Sequence, residues 1–183
     1  MAKKALVILA DGFEEIEAIS CIDILRRAEI EVTVAALTAL KVKGSRGVWV
    51  IADKLLNELG SDFDCLVLPG GSLGATNLAS SELVTSLIQK MFRQGKIIAA
   101  ICASPAVVLA PTGILENKTA TCYPGMQRLF GPNTHYKDEA VVVDGTVITS
   151  KGPATAIGLA LSIVEKLCGR QTKDELARSI LAG

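Results

Sequence analysis

The chain has 183 residues and no net charge, 19 basic side chains balancing 19 acidic ones. With no basic stripe and no polybasic run, nucleic acid and anionic membrane surfaces are not expected as partners. Half of the residues are hydrophobic but only 4% are aromatic, and mean hydropathy is +0.42. That aliphatic balance suits strands covered on both faces, and the length suits one domain over residues 1–183.

In chain order, Lys4–Ala10 is a short apolar run that reads as a buried strand. It is too short to span a membrane and no cleavage pattern follows, so a cytoplasmic protein is expected. Asp11-Gly12-Phe13 is a tight turn, and Glu14 opens a helix to about Ala28 with acids in its first turn. Glu31–Ala36 alternates as a second strand, Leu37–Gly47 reads as loop, and Val48–Ala52 as a short edge strand. Phe63–Leu68 is another buried strand, stopped by Pro69-Gly70-Gly71. Ser81–Gln94 reads as helix, closed by Gly95. A further apolar run, Ile97 to Ile101, leads into Cys102, and Ser104-Pro105 reads as the N-cap and first position of an apolar helix through Ala110. Thr119–Cys122 has strand character. Val141–Thr149 carries an Asp-Gly hairpin signal, Ala154–Leu167 an apolar helix, and Thr172-Lys173-Asp174-Glu175 a capping box opening the last helix. Strands alternating with helices give an α/β sandwich around a mostly parallel sheet, and the chain is too short for a TIM barrel.

Three places carry chemistry. Cys102 stands between a buried strand and a helix start, where ligand sites of open α/β sheets form and where a thiol is more readily ionised. A buried, purely structural thiol fits the same window. On the first helix, Glu17 shares an i, i+4 row with Cys21, Ile24 and Ala28, so a carboxylate lies along an apolar face or at its solvated edge. If buried, it would be protonated more readily and could donate to a thiolate. Gly70-Gly71 at a strand end would turn backbone N–H groups into a cleft, or simply make a tight turn; no phosphate-loop spacing is present. Five widely spaced cysteines without C-x-x-C, and a single histidine, indicate no disulfide framework, metal site or cofactor.

Taken together, these stretches resemble the ThiJ/PfpI superfamily, and within it the DJ-1 subgroup. The residues that match are Lys4–Ala10, Glu14-Glu15-Ile16-Glu17, Leu68-Pro69-Gly70-Gly71, Ala99–Pro105 and Thr149-Ser150-Lys151-Gly152-Pro153, in order along nearly the whole chain. The resemblance implies a flavodoxin-like three-layer α/β/α sandwich and a homodimer. It implies a reactive Cys102 hydrogen-bonded to a protonated Glu17, with Gly71 and Ala103 supplying oxyanion-binding N–H groups. Gly70, Arg27, Arg46, Tyr123 and His135 would lie in or near the pocket, Arg46 reaching it across the dimer seam.

Two departures limit what carries over. The protease-like branch has His after its nucleophile, and here Ala103 stands there, so peptide hydrolysis lacks its base. The type member of the DJ-1 subgroup has His where this chain has Tyr123, a poor base at neutral pH. Two functions remain open. One is a cofactor-free glyoxalase or deglycase acting on methylglyoxal, glyoxal or their adducts. The other is a redox sensor or chaperone in which Cys102 is oxidised to a sulfinate.

Overall fold

The computed structural model describes residues 2–182. Its main sheet has seven strands, ordered β10-β11-β7-β6-β1-β2-β5. These are β1 (Lys4–Leu9), β2 (Glu31–Ala36), β5 (Lys54–Leu55), β6 (Cys65–Leu68), β7 (Ile97–Ile101), β10 (Val141–Asp144) and β11 (Val147–Ser150). All neighbours run parallel except the β10–β11 hairpin, which turns at Gly145-Thr146.

Beyond Lys4, the central strands β1, β6 and β7 are apolar at every position because both faces are covered. Along β1, Ala5, Val7 and Leu9 join one core while Leu6 and Ile8 join the other, the two-residue alternation of a pleated strand. Helices α1 (Glu15–Arg27), α4 (Ala156–Cys168) and α5 (Arg170–Ser179) cover the first face. Helices α2 (Ser72–Ala79) and α3 (Glu82–Arg93) cover the second. The result is the expected flavodoxin-like three-layer sandwich. From β1 the chain moves outward to β2, and from β6 it moves the opposite way to β7. The loops after β1 and β6 therefore diverge, opening a crevice at the carboxyl ends of the strands.

Several local expectations need correction. Residues 37–47 are not all loop: β3 (Lys41–Lys43) pairs antiparallel with β4 (Trp49–Ile51) as a separate ribbon, so β4 is not an edge of the main sheet. Helix α2 follows Gly71 directly, although Ser72, Gly74 and Asn77 are weak helix formers. Ser104 is no N-cap: its own backbone is helical and its Oγ donates to the Pro69 carbonyl at 2.6 Å. Pro105–Leu109 then forms one π-type segment, tightening to a 3₁₀ turn over Ala110–Thr112. Thr172 opens no helix either, since α5 already starts at Arg170 and Thr172 Oγ1 donates back to the Cys168 carbonyl. Two further short strands, β8 (Thr119–Ala120) and β9 (His135–Tyr136), pair with one another as a separate ribbon beside β10 and β11.

Candidate active site

Cys102 follows β7 with φ +64°, a left-handed conformation that costs a side chain with a Cβ roughly 1–3 kcal/mol. Both of its backbone groups are tied. The Cys102 N–H donates to the Ser150 carbonyl at 2.9 Å, and the Cys102 carbonyl accepts from the Tyr123 N–H at 2.8 Å. This holds the sharp strand-to-helix bend that lifts the thiol into the crevice. The backbone N–H groups of Gly71 and Ala103 donate toward the sulfur.

Glu17 lies on the inward face of α1 and is fully buried. Glu14 caps the helix, its carboxylate accepting the Glu17 N–H at 2.9 Å. Glu17 Oε2 accepts the Gly70 N–H at 2.7 Å. Its Oε1 has no hydrogen-bond partner among the described residues, and the Cys102 thiol is the adjoining titratable group. The loop between them admits only glycines. A Cβ on Gly70 would sit 2.6 Å from Cys102 Cβ and 2.8 Å from Glu17 Oε2. Gly71 has φ +86°, and a Cβ there would strike the Gly12 carbonyl.

Burial raises the Glu17 carboxyl from 4.5 to about 7, against the pull of the Gly70 N–H and the Cys102 thiol, with the Glu14 charge adding to the rise. The Cys102 thiol is also raised, to about 12, by burial and by the Glu17 charge and hydrogen bond; the Gly71 and Ala103 N–H groups oppose this. The helix start and its N–H groups favour a lower thiol pKa, while burial first and the Glu17 charge second act against them. The carboxyl and the thiol titrate as one unit that loses its first proton near neutrality and its second only in strong base. In between, the pair holds one negative charge and one proton.

The thiol opens into a cleft of about 1060 Å³, whose walls include Gly71, Ala103, Arg46 and Tyr123. Two predicted neighbours lie elsewhere. Arg27 is on the last turn of α1, paired with Asp23 at 2.7 Å, and borders a different groove beside Ile157 and Leu181. His135 is exposed on β9, its N–H bound to the Lys118 carbonyl, and takes no part in the cleft wall. Neighbouring sequence positions could not reveal this, because the 119–136 segment folds as its own β8–β9 pair. Glu15 was read only as a first-turn acid. It accepts from the backbone N–H groups of Arg46 (2.6 Å) and Val48 (3.3 Å), and so pins the loop that carries Arg46. Arg128 also lines the cleft, and no motif signals it. Among the described residues no group of three or more His, Cys, Asp or Glu side chains could hold a metal ion.

Fold and site define an open α/β protein with a cysteine on a sharp bend at a strand end and a buried carboxyl beside it. The chain belongs to the DJ-1/PfpI family, which it matches over residues 3–166. It is 46% identical over 184 residues to Protein dj-1beta of Drosophila melanogaster, covering 99% of this chain and 98% of that one. The solved structure of Drosophila DJ-1beta superposes with a TM-score of 0.95 over the same shares. Oxidized DJ-1 of Toxoplasma gondii, 41% identical, also superposes at 0.95, over 98% of both chains. At 34% identity, over 97% of this chain and 96% of the relative, the chain is similar to the Caenorhabditis elegans glutathione-independent glyoxalase DJR-1.2. Protein DJ-1 homolog B of Arabidopsis thaliana is 45% identical over 96% of this chain, which spans only 40% of that protein's length. No helix among the described residues is long and apolar enough to cross a membrane.

Proposed function

We propose that this protein is a cofactor-free, cysteine-dependent glyoxalase acting on methylglyoxal and glyoxal, and on their adducts with other molecules. The observation that carries the reading is the Cys102 thiol set on a strained bend at the cleft, with the Gly71 and Ala103 N–H groups beside the sulfur and the fully buried Glu17 carboxyl next to it. With the shared proton on Glu17, the thiolate adds to the aldehyde carbon. A C–S bond forms, and the carbonyl electrons move to an oxygen that accepts from the two N–H groups and takes up the proton. Glu17, now ionised, removes the hydrogen on C1 as a proton and returns it to C2, while the hydroxyl proton on the C1 oxygen passes to the C2 oxygen. C1 is oxidised and C2 reduced within one molecule, giving a thioester of a 2-hydroxy acid. Water cleaves the thioester and restores the thiol, so methylglyoxal plus water becomes lactate. The name of the C. elegans relative supports the same chemistry. Incubation with methylglyoxal tests it: wild type should form lactate without glutathione, while Cys102→Ser and Glu17→Gln should not. Full turnover in either variant would reject the mechanism.

A homodimer belongs to this reading. Ile16 and Ile19 on α1, and Trp49 and Ile51 on β4, are exposed next to the loop of Arg46, and covering them between two copies would bring that loop to a shared seam. Light scattering at micromolar concentration should return twice the 19.2 kDa chain mass; a monomer mass would remove the seam. The same sulfur geometry supports a second use, a redox sensor, and the Toxoplasma relative is described as oxidized. Two equivalents of peroxide, each reduced to water, would take the thiolate through sulfenate to sulfinate, its oxygens accepting from Gly71, Ala103 and protonated Glu17. Intact mass after peroxide should rise by two oxygens in wild type and by none in Cys102→Ser.

A further inference from the structure

The cleft is far larger than a three-carbon aldehyde needs. Its volume of about 1060 Å³ lies at the top of the range for drug-sized ligands, roughly 300–1,000 Å³. Its wall is divided. Leu73, Met126 and Tyr123 present apolar and aromatic surface, while Lys43, Arg46 and Arg128 add three cations.

The two carboxylates in that wall are already engaged. Asp11 accepts the Lys43 N–H at 2.9 Å and Glu14 accepts the Glu17 N–H at 2.9 Å. Glu15, the acid nearest Arg46 in the fold, gives both oxygens to the loop itself, to the backbone of Arg46 and Val48 and to Ser45 Oγ. It fixes where Arg46 stands without pairing its side chain. Among the described residues neither the Arg46 nor the Arg128 guanidinium has a carboxylate within ion-pair distance. Within one chain, two arginines without a carboxylate partner, from segments far apart in sequence, line one cleft together with Cys102, and such a pair suits a planar carboxylate or a phosphate.

We infer that this cleft selects α-oxoaldehydes whose carbon chain ends in an anionic group, the chain lying along the apolar wall and the anion between Arg46 and Arg128. This rests on the reading of Cys102 as the group that attacks the carbonyl. Exposed arginines each contribute modestly, and two together should give a preference of about three- to tenfold over a neutral substrate of equal length.

The anion preference can be read without turnover. Cys102 is alkylated with iodoacetate or iodoacetamide at low salt, each rate normalised to free glutathione. In both reactions the thiolate displaces iodide and a C–S bond forms. The normalised iodoacetate rate should exceed the iodoacetamide rate by about three- to tenfold. It should fall with added salt, and return toward equality in Arg46→Gln combined with Arg128→Gln. On turnover, 4,5-dioxopentanoate should show a lower KM than 2-oxopentanal at similar kcat, and the double variant should erase that difference. Phosphorylated hydroxypyruvaldehyde as a third substrate separates a phosphate preference from a carboxylate one. An alkylation ratio at or below one that ignores salt and both substitutions would overturn the inference. Absent lactate formation with a high alkylation ratio would instead sink the glyoxalase reading and leave the anion preference standing.

Discussion

Replacing Glu17 by Gln isolates the ionisation that burial penalises. A rise from 4.5 to about 7 corresponds to about 3 kcal/mol against the charged carboxyl in the folded protein. Below pH 4.5 the folded and unfolded chains both carry the protonated form, and no stability is lost. As pH rises the unfolded chain ionises first and gains relative to the native state. The loss grows until the native carboxyl also ionises near 7, and stays complete above that. Glutamine has no proton to lose, yet its oxygen can still accept the Gly70 N–H and its amide can still face the sulfur. Urea unfolding followed by circular dichroism, at fixed protein concentration, should therefore place the variant close to wild type near pH 4.5. By about pH 8 the variant should be about 2–3 kcal/mol more stable. It should meanwhile lose turnover, the mark of a group kept for chemistry at the expense of stability. A stability difference that stays constant across this range would mean that Glu17 has an ordinary pKa, and the shared-proton account of the site would fall with it.

Removing the Glu17 charge should also lower the Cys102 thiol from about 12, because that charge and its hydrogen bond both raise it; thiolate absorbance against pH in Glu17→Gln reads this directly. Of the five thiols, Cys102 should be alkylated fastest near neutral pH, since it opens into the cleft while Cys21, Cys65 and Cys122 are fully buried; mass spectrometry that finds any of the other four, Cys168 included, modified first would contradict the elbow. Gly70→Ala should cost more than about 2 kcal/mol by thermal or urea unfolding, and should abolish Cys102 reactivity, because its methyl group would overlap both Cys102 and Glu17. Cys102→Gly should match or exceed Cys102→Ala in stability, by about 1 kcal/mol. This reverses the usual order at a strand–helix junction and follows from the φ of +64°.

Much of this architecture can be read in the sequence wherever a single physical pattern dominates. The runs Lys4–Leu9, Cys65–Leu68 and Ile97–Ile101 are apolar at nearly every position because each strand is covered twice, and that places Cys102 at a strand end. The row that sets Glu17 in line with Cys21 and Ile24 is a helical period, and all three are buried. Legibility ends where several weak signals compete. Helix α2 is built from poor formers and is held instead by the Gly71 turn and the packing of Ala75 and Leu78. Ser104 and Thr172 have the right chemistry for caps, but tertiary contacts redirect their hydroxyls to Pro69 and Cys168. Arg46 and Arg27 look alike as surface cations, and only the fold, through Glu15, brings one of them to the cleft. The surroundings of Cys102 are only half legible for a related reason: sequence shows a helix start beside the thiol, while its burial and the Glu17 carboxyl that α1 packing brings next to it appear only in the fold.

The two bonds that hold the Cys102 backbone have a consequence for biosynthesis. One partner is Tyr123 and the other is Ser150, the last residue of β11, so the bend closes only after that strand has paired with β7. A nascent chain that has emerged only as far as α3 and β7 already displays the cysteine. It lacks both clamps, and a left-handed cysteine without them relaxes to ordinary backbone geometry. The thiol therefore reaches its reactive pose only late in folding. Until then Cys102 stands in the growing chain as an ordinary cysteine beside Cys21 and Cys65, and aldehydes or peroxide in the surroundings find no preferred target among them.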